Sequence, residues 1–113
     1  MSDPDLIRVR HMLDASLEIR KFCARKSRRS LNSDRKLTLA LIKSIEIIGE
    51  AASKVSDEFQ SSHPEIPWKS IIGMRNRLIH VYFDVNLDVL WNTVVEDIPP
   101  LLETLESTVQ REL

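Results

Sequence analysis

Five polar side chains able to do chemistry are crowded into RNRLIHVYF, residues 75–83: Arg75, Asn76, Arg77, His80 and Tyr82. Histidine titrates near neutral pH and can take or give a proton, while a guanidinium stays charged and presents a fork of donors suited to phosphate. If the five converge, they make a polar reaction site; if they are ordinary surface polarity, the segment says little about function. Spacing alone does not bring them together. At about 100° per residue, Arg75 and His80 point about 140° apart on an ideal helix. Asn76, four before His80, and Arg77, three before it, are its geometric neighbours if the helix persists. A helix ending at about His80 changes this. In extended backbone His80 and Tyr82 line one side, and Val81 and Phe83 face the core.

The elements that must position these groups read as helices. Two glycines in 113 residues, with few alternating β-branched runs, point to an all-α chain, and the apolar spacing agrees. A first helix opens at Asp3-Pro4, cap followed by proline, and carries Leu6, Val9, Leu13 and Leu17 toward Phe22. SRRSLNSD interrupts the pattern. Ser33 or Asp34 then caps a second helix with Leu37, Leu41, Ile45, Ile48, Ala52 and Val55 on its buried face. The prolines of SSHPEIP (61–67) make a loop. A third helix starts near Pro67 or Trp68, turns Trp68, Ile71, Ile72 and Leu78 inward, and ends near His80 to Phe83. Asn86 caps a fourth, carrying Leu87, Leu90, Trp91, Val94 and Ile98, which Pro99-Pro100 kink or interrupt before the final LLETLESTVQREL. The expected architecture is one domain over 1–113, an up-and-down bundle of four to five helices with a kinked C-terminal helix. Trp68 and Trp91 read as core or dimer-interface residues.

Composition narrows the function classes. The single Cys23 gives neither a disulfide framework nor a cysteine-rich zinc pattern, and the scattered histidines have no close metal-ligand spacing. His11 and His63 are given no catalytic role. The N-terminus lacks the apolar run of a signal peptide, and no segment approaches the roughly 20 apolar residues of a membrane span, so a soluble cytoplasmic protein is expected. Net charge is only −1, yet Arg20, Lys21, Arg25, Lys26, Arg28, Arg29, Arg35 and Lys36 supply half of the 16 basic residues. Such a stretch is a solvated helix end, a phosphate-contacting surface or a dock for an acidic partner.

Arg75-Asn76-Arg77-Leu78-Ile79-His80 fits the R-x4-H signature of the HEPN superfamily (higher eukaryotes and prokaryotes nucleotide-binding domains). With IEIIGEAA (45–52), HPEIPW (63–68), GMRNRLIHVYF (73–83) and WNTVVEDIPPL (91–101) in that order, the chain resembles the HepT-like toxins over nearly its whole length, least over the first 35 residues. The resemblance implies a HEPN-like fold and a metal-independent, cofactor-free endoribonuclease toxin of a type VII-like toxin-antitoxin pair. Its partner would be a small nucleotidyltransferase antitoxin. Arg75 and His80 would be the catalytic pair, and Tyr82, completing R-x4-H-x-Y, the site where the partner attaches AMP to silence the toxin. It also implies a homodimer with both motifs facing a shared cleft, and a larger complex with antitoxin remains open.

The chemistry is coherent without that name. A 2′-hydroxyl attacking the adjacent phosphate needs a base, and the leaving oxygen needs an acid; His80 suits proton transfer. Charge gathers on the non-bridging oxygens, and Arg75 suits phosphate and transition-state binding. The product would carry a 2′,3′-cyclic phosphate. Asn76, Arg77 and Glu50 are supporting candidates, and Arg25, Lys26, Arg28 and Arg29 are candidate RNA contacts, or contacts for the antitoxin. AMP on Tyr82 would place bulk and negative charge where RNA phosphate binds. The alternative is a non-catalytic helical module that keeps a nucleotide- or protein-binding cleft.

Overall fold

A computed structural model describes residues 3–81 and 84–112, with 79–81 and 84 described as backbone. Helix α1 (Pro4–Cys23) begins as its sequence dictates: the Asp3 carboxylate accepts from the Asp5 amide, and Pro4 takes a first-turn position where its missing N–H costs nothing. The interrupting SRRSLNSD is not all irregular, since Ser30–Ser33 form one short turn, α2. Asp34, rather than Ser33, caps the long helix α3 (Arg35–Ser53) through the Leu37 amide.

Helix α3 organises the domain. Leu41, Ile45, Ile48 and Ala52 are fully buried on one stripe, and their burial against α1 and the later helices is worth about 1.5–3 kcal/mol for each large side chain. On α1, Val9, Met12 and Ile19 complete the same core, while Leu6 and Leu13 are only partly covered. Buried hydroxyls on Ser16, Ser44, Thr93 and Thr108 donate to carbonyls one turn earlier, so polar groups enter the core without losing a partner.

After α3, Ser56 caps a short helix, α4 (Asp57–Ser62), which occupies the start of the expected loop. The third helix is divided. Segment α5 (Trp68–Ile72) ends at Gly73, and α6 (Met74–Leu78) follows. Trp68, Ile71, Met74 and Leu78 are buried, but Ile72, expected inward, is 40% exposed because the break sets it on the outer rim. Helix α6 then stops at Leu78, and β1 (Ile79–Val81) pairs antiparallel with β2 (Asp84–Val85), a small ribbon added to an otherwise all-α bundle. The β-branched Ile79, Val81 and Val85 favour this extended backbone.

Asn86 caps α7 (Leu87–Asn92) through the Val89 amide. Leu90, Val94 and Ile98 are buried there, whereas Leu87 and Trp91 are half-covered and pack on the core edge. The irregularity expected at Pro99-Pro100 falls just before them. Residues Thr93–Asp97 form a π-turn in which the Ile98 amide reaches back to the Thr93 carbonyl, and α8 (Ile98–Glu112) starts anew with both prolines in its first turn. Prolines that cannot donate are tolerated there because a first turn's N–H groups need no helical partner. Among the described residues no helix is long and apolar enough to cross a membrane.

Candidate active site

Arg75 is the anchor of the site. It is the second residue of five-residue α6, half exposed, and its Nε–H donates to Glu46 Oε1 on α3 at 2.9 Å. The two residues share a surface groove of about 310 Å³, lined also by Gly49, Glu50, Ile72 and Asn76. Thus the groove gathers Arg75 with two of the supporting residues expected from sequence, Asn76 and Glu50. Glu50 does not meet Arg75; it faces solvent and pairs with Lys54, one turn on, at 3.6 Å.

Gly49 makes this geometry possible. A β-carbon at Gly49 would stand 3.3 Å from the Ile71 carbonyl oxygen and 3.7 Å from that of Ile72, so with any other residue α5 would have to give by a few tenths of an ångström, and glycine lets it lie this close to α3. That close approach brings the start of α6 over Glu46. The sequence singles out Glu50 through its motif and passes over Glu46, although the two lie four apart and share a helix face. Which glutamate meets the arginine is decided by tertiary packing at Gly49.

Arg77 leaves α6 on the other side. Its Nη1 and Nη2 donate to the Ser70 hydroxyl and carbonyl, each at 3.3 Å, beside a separate cavity of about 300 Å³ bordered by Glu65, Glu96 and Asp97. It is therefore not gathered with Arg75 and Asn76. The reason is helical phase: Arg75 and Arg77, two positions apart on one helix, are about 200° out of phase.

His80 lies on β1, beyond the helix end, so the divergence from Arg75 calculated for a continuous helix no longer applies. In the ribbon Ile79 pairs with Val85 and Val81 with Asp84, leaving His80 at the irregularity between the two pairs. Such bulges change the local twist and are common beside active sites. Tyr82 and Phe83, and the side chains of His80 and Val81, lie outside the described residues.

The basic segment divides into two kinds of residue. Lys26 faces Asp34 at 3.9 Å, and Arg28 Nε meets Asp88 at 2.7 Å while its Nη1 donates to Asn32. Asp88 sits in the first turn of α7, so Arg28 ties the basic segment to the helix that follows the ribbon. Arg25 and Arg29 are exposed and have no partner among the described residues, Arg25 with a left-handed φ of 63°.

Two further titratable features lie elsewhere. His63 stacks on Phe59 with centroids 4.0 Å apart, and its ring nitrogens meet the Phe59 carbonyl at 3.0 Å and Glu112 at 2.9 Å. Burial alone would favour its neutral form, but the Phe59 carbonyl and the Glu112 carboxylate outweigh it and raise its pKa. This is a structural clamp between α4 and the end of α8. Cys23, whose thiol is pushed up by burial, edges a larger apolar cavity of about 550 Å³ with Ile19, Trp91, Val94 and Leu102. Arg20, Lys26, Glu103 and Glu106 also line that cavity, and among the described residues no hydrogen bond joins the Cys23 thiol to any of them.

Among proteins similar to this chain, one from Caldanaerobacter subterraneus subsp. tengcongensis, named as a proposed RNase, is 45% identical over 76 residues, covering 67% of this chain and 68% of that protein. "Probable ribonuclease HepT" of Thermococcus cleftensis is 52% identical over 68 residues, covering 60% and 62% respectively. A proposed RNase of Methanocaldococcus jannaschii is 38% identical over 74 residues, 66% and 68%. The matched stretch thus spans about two thirds of each relative. No solved structure matches. The family model described as "Ribonuclease HepT-like" matches residues 12–108, from the first helix through the last and including both Glu46 and the Arg75 segment, and the chain belongs to that ribonuclease HepT-like family.

Proposed function

We propose that this chain is a metal-independent endoribonuclease that cleaves RNA through the adjacent 2′-hydroxyl, and that it is the toxin of a toxin-antitoxin pair. The observation that carries the reading is Arg75: an exposed guanidinium, held by one edge at a groove it shares with Asn76, five residues before a histidine on extended backbone. Membership of a ribonuclease family and the names of the relatives support the substrate class.

In the proposed reaction His80 removes the proton from the 2′-hydroxyl and that oxygen attacks phosphorus. The bond from phosphorus to the 5′-oxygen breaks, and the leaving oxygen receives a proton from the protonated His80 of a second copy across a two-fold cleft. Products are a 2′,3′-cyclic phosphate and a free 5′-hydroxyl. Arg75 neutralises the charge that accumulates on the non-bridging oxygens, a task its permanent charge and forked donors suit. A homodimer supplies the second histidine, and Ile72, 40% exposed at the groove, is apolar surface that such pairing would cover.

In the same reading Tyr82, two residues past His80, accepts AMP from a nucleotidyltransferase partner. The added phosphate repels RNA phosphate and the nucleoside blocks its path. The deciding experiment incubates purified wild type, Arg75→Ala and His80→Ala with RNA in the presence of a chelator. Cleavage by wild type alone, ending in cyclic phosphate, is expected. Equal cleavage by all three, or by none, would turn the reading toward a non-catalytic binding module. Intact mass after incubation with a candidate nucleotidyltransferase antitoxin and ATP should rise by one AMP in wild type and not in Tyr82→Phe.

A further inference from the structure

We propose that Glu46 is a positioning residue for Arg75, fixing the guanidinium by its Nε edge so that its end is presented to a phosphate. This rests on the ribonuclease reading above and adds to it a residue on a different helix.

The contact is of a particular kind. Glu46 Oε1 takes the Nε–H of Arg75 at 2.9 Å, while Nη1 and Nη2, which carry four of the five guanidinium N–H donors, have no partner among the described residues. A carboxylate that blocked the arginine would take its forked end. Here the fork stays open for two phosphate oxygens, and the acid occupies the side away from it.

The mechanical context explains why a tether is useful. Helix α6 is only five residues long, with Gly73 before it and the ribbon after it, so its own hydrogen bonds fix Arg75 weakly. Glu46 belongs to α3, where Ile45 beside it and Ile48 two residues on are fully buried, and it is itself less exposed than Arg75, 30% against 51%. The residue on the long, well-packed helix therefore sets the position of the one on the short helix. Gly49, one turn from Glu46, permits the approach that makes the contact short.

Misplacement of a catalytic group by about 1 Å can cost about 100-fold in rate. Glu46→Ala is therefore expected to lower kcat on RNA by about 10- to 100-fold with a smaller change in KM, at unchanged melting temperature. Glu46→Gln keeps an oxygen that accepts from Nε–H and is expected to stay within a few-fold of wild type. In an Arg75→Ala background, Glu46→Ala should add nothing, because the group it positions is gone. The proposal is overturned if Glu46→Ala cleaves as well as or better than wild type, if Glu46→Gln is as defective as Glu46→Ala, or if the losses add in the double variant. Wild type that cleaves while Glu46→Ala is unaffected sinks the positioning role alone. Wild type that cleaves no RNA sinks it together with the ribonuclease reading.

Discussion

Arg75 and Arg77 leave the same five-residue helix on opposite sides, one reaching across to Glu46 on α3 and the other folding back onto Ser70. The sequence offers two arginines in RNRLIH with equal formal charge; the fold gives them different tasks. Arg75→Ala should reduce RNA cleavage about 100- to 1,000-fold, the usual loss when one transition-state donor is removed. Arg77→Ala should stay within a few-fold, with only a small fall in melting temperature, since its contacts to Ser70 are exposed. Single-turnover cleavage of one RNA by both variants distinguishes them, and equal losses would refute the separation.

His63 should make stability depend on pH. Its two ring nitrogens face a carbonyl and a carboxylate, both acceptors only, so both contacts are made as hydrogen bonds only by the doubly protonated ring. The folded pKa is raised above the ordinary 6.5. A raised histidine pKa contributes stability in full below the unfolded value and loses it as pH rises through the folded value. Urea unfolding should therefore show a decline on the order of 1 kcal/mol, the worth of one such hydrogen bond, as pH rises past the unfolded value and through the raised folded one. His63→Gln should flatten that decline, and a wild-type curve no steeper than the variant's would rule the clamp out.

The fold was largely legible because its strongest signals are local. The Asp3, Asp34 and Asn86 caps and the buried stripe of α3 follow from residue type and spacing, and each holds. What escaped was either a local backbone irregularity that residue type does not announce or a contact with a distant group. Gly73 divides the third helix and turns Ile72 outward, while Ile98 reaches back to Thr93 to form the π-turn before the prolines. In the site, Arg75, Asn76 and Glu50 come from motif spacing and do share a groove. Glu46 lines the same groove but does not follow from the motif, because its partner is 29 residues away and is selected by the close helix contact at Gly49.

Gly49→Ala tests that contact. The new β-carbon would press on the Ile71 carbonyl, a backbone atom that cannot swing aside, so α5 and α6 must move away from α3. Overpacking of this kind costs about 1–3 kcal/mol, and here it should also lengthen the Glu46–Arg75 contact. Lower urea stability together with a fall in kcat larger than that of an equally destabilised core variant, such as Ile45→Val, is expected. If activity tracks stability alone across the two, the glycine serves packing and not the site.

Arg25 and Arg29 should account for most of the salt-dependent RNA affinity of the basic segment. Lys26 and Arg28 already face Asp34 and Asp88, so part of their charge is answered within the protein. Binding of single-stranded RNA by a His80→Ala protein, which should bind without cutting, gives the readout as salt is varied. Arg25→Asn is chosen because asparagine tolerates the left-handed φ of 63°, and Arg29→Gln because it keeps length while removing charge. At about 0.7 per neutralised phosphate on a single strand, the double variant should reduce the logarithmic salt slope by about 1.4. An unchanged slope, with weakened binding of the proposed nucleotidyltransferase partner instead, would make this segment a protein dock and leave RNA to the groove at Arg75.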